Sequence, residues 1–131
     1  MRTGVLIIVA LVLAALATAA TMWRSARAST EREAAELTGG HPQLGRAAMV
    51  SLGCVACHQV PGFRGTKPQV APPLTGFALR TFVAGTAQNT PENLVQFIQD
   101  PRSIAPRSAM PKLPMTVDQA RDLAAYLYTL R

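Results

Sequence analysis

The chain has 131 residues, two cysteines and a formal net charge of +6 at pH 7, and 49% of its residues are hydrophobic. This length allows one small domain plus an appendage. The basic surplus favours an acidic protein partner or anionic lipid headgroups. No pattern of basic and aromatic residues supports nucleic-acid binding, so we expect no nucleic-acid partner.

The appendage begins with an apolar segment, residues 4–23, that contains no charge. Twenty helical residues at about 1.5 Å each span roughly 30 Å, the thickness of a bilayer core. Trp23 stands where an interfacial aromatic anchor would, and Arg24 and Arg27 follow it. Small-x-small patterns also suit a cleavable signal peptide, although the segment is longer than the usual h-region of about 7–15 residues. We expect an uncleaved transmembrane anchor over residues 1–23.

Residues 24–40 separate this segment from the folded domain. The stretch 29–37 is rich in Glu, Ala and Arg, which favours a charge-paired helical stalk that ends at Gly39 and Gly40. A partly disordered tether is the alternative. We place the domain at residues 41–131, where nine Lys or Arg stand against four Asp or Glu, a net charge of +5.

The domain opens with a predicted helix over residues 42–52. Pro42 suits the first turn of this helix, and Gly53 ends it. Gly45 and Ala48 lie three residues apart, so one side of the helix can be approached closely by another helix.

The string Cys54-Val55-Ala56-Cys57-His58 follows that helix and contains both cysteines of the chain. A C-x-x-C-H string is the attachment signature of a c-type haem, in which both thiols form thioethers and the adjacent histidine lies under the iron. A redox dithiol would need a βαβ context, and the sequence shows no such strands. Structural zinc would need four ligands, and a second Cys/His pair is missing. We therefore predict one covalent haem, tethered by Cys54 and Cys57, with His58 as an iron ligand.

Residues 59–90 contain many Pro and Gly and have no clear strand or helix period. A loop this long is uncommon in a compact domain. A haem would give the loop a surface to pack on. It would also enlarge a core that a domain of about 90 residues leaves marginal.

Two further helices carry explicit start signals. Thr90 and Pro91 suit the N-cap and the first position of a helix that Pro101 stops. Thr116 and Gln119 match a capping box at the start of the last helix. The predicted buried faces are Leu94, Val95, Phe97 and Ile98 in the first of these helices, and Val117, Ala120, Leu123, Ala124, Leu127 and Leu130 in the second.

The far side of a haem iron is either closed by a second ligand or left open. Met110 lies in a stiff Pro-rich stretch and on no helical face, which suits a rigidly held thioether. Met ligation raises the reduction potential. Met115, directly before the N-cap of the last helix, suits a hydrophobic staple. We expect Met110 to be the second iron ligand, with Met115, His41 or an open site as the alternatives.

The haem motif after a helix, the Met110-Pro111 loop and the terminal helix resemble class I cytochromes c. From Ala71 onward the chain is most similar to the cytochrome c domain of caa-type haem-copper oxidases. The resemblance covers roughly residues 42–131 and implies an all-α class I cytochrome c fold around one covalent haem, here preceded by a single transmembrane helix. The matching stretches are Ala71-Pro72-Pro73-Leu74-Thr75, Ala84-Gly85-Thr86, Asn89-Thr90-Pro91-Glu92-Asn93-Leu94, and Asp100-Pro101 followed by Met110-Pro111.

The resemblance also implies roles for individual residues. The carbonyl oxygen of Pro72 would accept a hydrogen bond from His58 Nδ1. Leu74 would pack on the haem edge, and Arg80 would contact a haem propionate. Tyr126 would pack where the first and last helices cross.

Three departures from the family pattern matter. Ala71 stands where family members have Gly before the proline, so this turn is less permissive. Phe97 stands where members often have Trp, so an indole hydrogen bond to a propionate is absent. No copper-binding domain precedes the haem domain, so we expect an independent subunit rather than a subunit II.

The function that the resemblance implies is electron transfer without substrate chemistry. We expect a membrane-anchored monohaem c-type cytochrome that passes single electrons in a respiratory chain, with a terminal oxidase, a cytochrome bc complex or both as partners and no small-molecule substrate. Covalent haem attachment would place the domain on the periplasmic or extracytoplasmic side of a bacterial inner membrane. The alternatives are the haem subunit of a nitric oxide reductase or dehydrogenase, and a haem-based ligand sensor or peroxidase.

Overall fold

The computed structural model of the protein describes residues 2–63 and 70–131. Met1 and residues 64–69, which belong to the predicted loop 59–90, lie outside the described residues. The described part is mostly helical, and this confirms the predicted all-α class. The helices and strands are α1 (Arg2–Thr38), α2 (Pro42–Ser51), α3 (Cys54–Cys57), a 3-10 helix (Phe77–Leu79), β1 (Phe82–Val83), β2 (Ala87–Gln88), α4 (Pro91–Gln99), α5 (Pro101–Ile104) and α6 (Val117–Tyr128).

Contacts within the chain divide it into two compact units, Met1–Thr30 and Glu31–Arg131. In the first unit, the large apolar side chains between residues 5 and 16 are exposed. By length and composition α1 could cross a membrane, a criterion that a signal sequence near the N-terminus also meets. Residues 24–38, in the segment for which we weighed a helical stalk against a disordered tether, are helical.

The last turns of α1 pack inside the second unit. Ala34 and Thr38 are buried. The hydroxyl of Thr38 donates to Ala34 O at 2.8 Å and accepts the N–H of Gly40 at 3.2 Å, which satisfies polar groups at the end of the helix. An ion pair between Glu33 and Arg131 adds a further contact. The end of α1 is therefore fixed within the second unit.

Helices α2 and α6 cross at Gly45, which is buried. A Cβ atom added at Gly45 would lie 1.8 Å from Asp122 O and 2.9 Å from Tyr126 Cβ, so only glycine permits this approach. The predicted position of Tyr126 at the crossing is confirmed. The backbone N–H of His41 donates to Asp122 Oδ1 at 2.6 Å, so the start of α2 is also bonded to α6.

Both predicted start signals are present. The Thr90 side chain accepts a backbone N–H of α4 at 3.3 Å, and Thr116 and Gln119 form a reciprocal capping box on α6. Such caps each contribute about 1 kcal/mol to helix stability. For the predicted buried face of α6, the burial of one residue is wrong. Val117 is 43% exposed, because the first turn of α6, residues 116–119, lies outside the core.

The core of the second unit is formed where α2 and α4 pack on α6. Of the predicted α4 face, Leu94 and Ile98 are buried, and Val95 and Phe97 are partly buried. Residues from the segment between α3 and α4 complete the core. The buried residues of the whole core are Met49, Val60, Leu74, Phe77, Val83, Leu94, Ile98, Ala120, Leu123, Ala124, Tyr126, Leu127 and Leu130.

The predicted loop also contains an antiparallel pair, β1 and β2, which the sequence analysis missed. The turn between the strands places Ala84 at φ 51° and Gly85 at φ 70°. The N–H of Thr86 donates to Val83 O at 3.0 Å and closes the turn. Positive φ at both central residues is the hairpin turn that Asn-Gly usually forms. Alanine at the first position removes that signal from the sequence.

Candidate functional site

The two cysteines lie on one short turn of helix. Gly53 has φ 75°, and α3 begins directly after it. Residues three apart on a helix are neighbours on its surface, so Cys54 and Cys57 lie on one side of α3. Both are half-buried. The N–H of His58 donates to Cys54 O at 2.9 Å, and the helix ends at this histidine.

The state of Cys54 argues against a redox dithiol. Burial raises the pKa of the Cys54 thiol, and the nearby Cys57 adds to this rise against the opposing effect of a backbone hydrogen bond. A reactive dithiol needs a lowered pKa, because the thiolate is the nucleophile. In residues 2–63 and 70–131, no three His, Cys, Asp or Glu side chains form a group that could hold a metal ion, so the zinc alternative gains no support.

The His58 ring is bonded to the loop that follows it in the chain. His58 Nδ1 lies 2.8 Å from the carbonyl oxygen of Pro72, the contact that the resemblance implied. A carbonyl oxygen can only accept, so we infer that Nδ1 carries the proton and Nε2 the lone pair. This is the form in which a neutral imidazole binds a metal, and the hydrogen bond raises its basicity as a ligand.

The loop around Pro72 is itself bonded to the haem motif. The N–H of Ala71 donates to Cys57 O at 3.2 Å, and the N–H of Leu74 donates to Gln59 O at 2.8 Å. The Leu74 side chain is buried in the hydrophobic core. The motif and the loop therefore form one bonded unit.

Arg80 bonds to the same loop. Its Nη2 donates to Pro73 O and, at 3.5 Å, to Thr75 O. The guanidinium lies 5.2 Å from the centroid of the Phe77 ring. A guanidinium has five N–H donors, so these bonds leave donors for an anion. The propionate contact of Arg80 stays a prediction.

Side chains of α2 and α6 clamp the residues after the haem motif. Arg46 donates to Gly62 O at 3.1 Å, and its guanidinium lies 4.5 Å from the centroid of the Phe63 ring. The hydroxyl of Tyr126 donates to Pro61 O at 3.3 Å, and its ring meets Phe63 edge-on at 6.4 Å. The role of Arg46 could not be predicted, because a basic residue on a helix surface carries no local signal for a backbone partner.

Asn89 and Tyr128 form a second network that the sequence analysis missed. Tyr128 Oη lies 3.1 Å from both Asn89 O and Asn89 Oδ1. Asn89 Nδ2 donates to Phe77 O at 3.3 Å and to Arg80 O at 3.0 Å. Burial, and secondarily the charge of Glu92, raises the pKa of Tyr128 to about 12. The hydroxyl therefore keeps its proton at neutral pH.

Met110 is half-buried in the segment between α5 and α6. Its N–H donates to Ser108 Oγ at 3.2 Å. Lys112 Nζ lies 2.7 Å from Asp100 Oδ2, and the bond from Lys112 lowers the pKa of Asp100. Met115 is partly buried against the hydrophobic core, which agrees with its predicted packing role.

The predicted site residues fall into two groups. Met110 comes from a separate segment, between α5 and α6, and its role as the second ligand stays a prediction. His41 is exposed at the start of α2. The residues present fit a covalent haem, because the thiols share one helical turn and the imidazole has a fixed tautomer. The other predicted site residues lie in the haem motif and the loop after it, or bond to that loop. They are Cys54, Cys57, His58, Pro72, Leu74 and Arg80.

Comparisons with known proteins agree with this chemistry. The family model described as "Cytochrome c" matches residues 42–131. The chain is 35% identical over 88 residues to the cytochrome c oxidase subunit 2 of Alkalihalophilus pseudofirmus, which covers 66% of this chain and 25% of the relative. It is 31% identical over 88 residues to the cytochrome c oxidase subunit 2 of Bacillus sp. strain PS3, at 64% and 25% coverage. The chain thus spans a quarter of the length of these curated relatives. No solved structure matches.

Proposed function

The chain belongs to the cytochrome c family, and we propose that it is a membrane-anchored monohaem c-type cytochrome that transfers single electrons in a respiratory chain, as a subunit or electron donor of a terminal oxidase. Family membership implies covalent haem c and an electron-transfer protein. One observation carries the proposal: His58 Nδ1 bonds Pro72 O at 2.8 Å, directly after two half-buried cysteines on one helical turn. This arrangement supplies two tethers and a metal-ready Nε2.

We assign the tethers to Cys54 and Cys57, and the two iron ligands to His58 and Met110. Held by His58 and Met110, a haem would supply one-electron redox chemistry at a raised potential, and the two side chains would exclude small ligands from it. The half-buried position of Met110 and the polar contacts of its segment support a fixed thioether.

Three further residues would shape the surroundings of the ligand. Pro72 orients the His58 ring through its carbonyl oxygen. Leu74, buried two residues later in the same loop, would supply an apolar wall for the macrocycle. Arg80 would direct its remaining donors at a propionate, beyond its bonds to the loop carbonyls.

The similarity to two oxidase subunits supports a respiratory oxidase as the partner. The net charge of +5 over residues 41–131 favours an acidic docking surface on that partner. A cytochrome bc complex is proposed as the electron donor on the resemblance alone.

We propose residues 1–23 as a single-pass anchor in the bacterial inner membrane, residues 24–40 as a stalk and residues 41–131 as the haem domain. The exposed apolar side chains of α1 support the anchor. The buried Ala34 supports a stalk whose end is packed on the domain. The periplasmic side is proposed because c-type haem is attached outside the cytoplasm in the cytochromes that the chain resembles.

Replacement of Met110 by alanine is expected to abolish the sulfur–iron charge-transfer band of the ferric protein, because the thioether is the proposed second ligand. The reduced variant should bind carbon monoxide readily at neutral pH, whereas the unsubstituted protein should not. Absorption spectroscopy of the full chain in detergent measures both.

The matched control for this test is Met115→Ala, which removes the other thioether of the segment. It should keep the band, since Met115 packs on the core. A band that survives Met110→Ala and disappears with Met115→Ala would reverse the ligand assignment. Ready binding of carbon monoxide by the unsubstituted protein would instead favour a ligand sensor or peroxidase.

Membranes that contain the terminal oxidase are expected to oxidise the reduced, purified chain. The rate should fall severalfold as salt rises, because screening weakens the attraction between a basic domain and an acidic surface. Stopped-flow absorption follows the oxidation, and cyanide-treated membranes are the control. If these membranes are inactive and a nitric oxide reductase or a dehydrogenase exchanges electrons with the chain, the oxidase is the wrong partner.

A further inference from the structure

We propose that Tyr128, Asn89 and Arg80 form a brace that holds the Pro72 carbonyl oxygen against His58. Through this brace, a residue of the last helix influences the electron-donor strength of His58 as the iron ligand. The inference rests on the proposed function, in which His58 binds the iron. Each of the three residues would be a positioning residue, since it acts on the imidazole through the loop.

The brace begins on α6. The hydroxyl of Tyr128 is shared between the backbone and side-chain oxygens of Asn89, each at 3.1 Å. Holding Asn89 Oδ1 orients the side-chain amide, because the oxygen and nitrogen of an amide lie in one plane. A tyrosine hydroxyl is protonated throughout the neutral range, and the raised pKa of Tyr128 extends this range further into alkaline pH.

Asn89 then fixes the backbone on both sides of Arg80. Its Nδ2 donates to Phe77 O at 3.3 Å and to Arg80 O at 3.0 Å. Its own N–H donates to Thr81 O at 2.9 Å. Three hydrogen bonds from one residue therefore hold the segment from which the Arg80 side chain starts.

Arg80 completes the brace at the loop. Pro72 and Pro73 both lack an N–H, so neither residue can donate a backbone hydrogen bond that would hold the loop in place. The N–H groups of Ala71 and Leu74 hold the loop on either side of these prolines, and Arg80 Nη2 adds hydrogen bonds to the carbonyl oxygens of Pro73 and Thr75. Pro73 shares a planar peptide with the Pro72 carbonyl, so a fixed Pro73 fixes the direction of the oxygen that faces His58.

The consequence lies in the electron density on the imidazole. A well-aligned bond from Nδ1–H to a carbonyl makes Nε2 a stronger donor, which favours the ferric state. If the brace is loosened, Pro72 O moves and the bond weakens. The ferrous state is then favoured, and the reduction potential rises. This mechanism predicts a shift even when the charge at position 80 is unchanged.

Two variants test the brace with little change to the fold. Arg80→Lys keeps the positive charge but loses the planar guanidinium whose Nη2 contacts both carbonyls, and Tyr128→Phe removes one hydroxyl and keeps the ring. In proton NMR of the holo full chain in detergent, the His58 Nδ1–H should exchange with solvent about fivefold faster in each, as expected for the loss of one hydrogen bond. The reduction potential should rise in both.

The control is Arg102→Lys, which makes the same substitution at an exposed arginine of α5. It should leave the exchange rate of the His58 proton unchanged. Unchanged exchange in Arg80→Lys and Tyr128→Phe would overturn the brace. Hyperfine-shifted His58 ring signals in the ferric unsubstituted protein test the ligand assignment separately, and their absence would overturn the proposed function together with the brace.

Discussion

Replacement of Gly45 by alanine is expected to lower the melting temperature of the holo protein by roughly 10–20 °C. The added Cβ would lie 1.8 Å from Asp122 O and 2.9 Å from Tyr126 Cβ. The first of these atoms belongs to the backbone of α6, so the clash cannot be relieved by a change of rotamer. Helices α2 and α6 must separate, at a cost of about 3 kcal/mol, the upper end of the usual range for overpacking. Thermal unfolding followed by circular dichroism measures the effect.

Ala47→Ser is the matched control, because it adds one heavy atom at an exposed position of the same helix. Its effect on the free energy of unfolding should stay within about 0.5 kcal/mol. The separation of α2 from α6 should also weaken the clamp of Arg46 and Tyr126 on the residues after the haem motif. A Gly45→Ala protein with an unchanged melting temperature would show that the two helices cross at a greater distance than the structure has.

The helices were predictable because their signals are local. Three helix starts are each indicated by one or two neighbouring residues, and α2, α4 and α6 begin there. The signals are Pro42, the pair Thr90 and Pro91, and the capping box of Thr116 and Gln119. Local signals do not show which helical positions tertiary packing buries. Val117 has the helical spacing of a core residue, but only the position of the neighbouring helices shows that its turn lies outside the core.

The strand pair could not be predicted for a different reason. Each strand has two residues, too few for an alternating pattern. The turn has alanine at a positive φ, where the recognisable sequence would have asparagine. The neighbouring network of Asn89 and Tyr128 joins residues 39 apart in the chain, a distance at which no periodicity carries information.

In the site, too, local sequence predicts some features and tertiary contacts determine the others. The spacing of Cys54, Cys57 and His58 predicts their chemistry, because covalent attachment needs that local order. The bond from His58 to Pro72 followed from the resemblance and is present. The two contacts of Arg80 with the loop carbonyls followed neither from the local spacing of residues nor from the resemblance. They require the loop to lie close to the residue after the 3-10 helix.

Replacement of both Cys54 and Cys57 by alanine is expected to abolish covalent haem attachment completely. These are the only two thiols of the chain, so no other side chain can form a thioether. After denaturation in detergent and electrophoresis, haem staining of the polypeptide should disappear, and the mass of the intact chain should equal that of the polypeptide alone. The domain should also lose its cooperative thermal transition, since about 90 residues form a marginal core without the macrocycle.

Ala56→Ser is the control for this change, because Ala56 lies exposed between the cysteines. It alters the motif at a variable position and should keep the full haem stain and mass. Each single cysteine variant should keep at most one thioether, which leaves one vinyl group and shifts the absorption of the pyridine complex of the haem. Retention of haem by the denatured double variant would contradict the tether assignment. Loss of haem from Ala56→Ser would mean that attachment depends on the packing around α3 as well as on the two thiols.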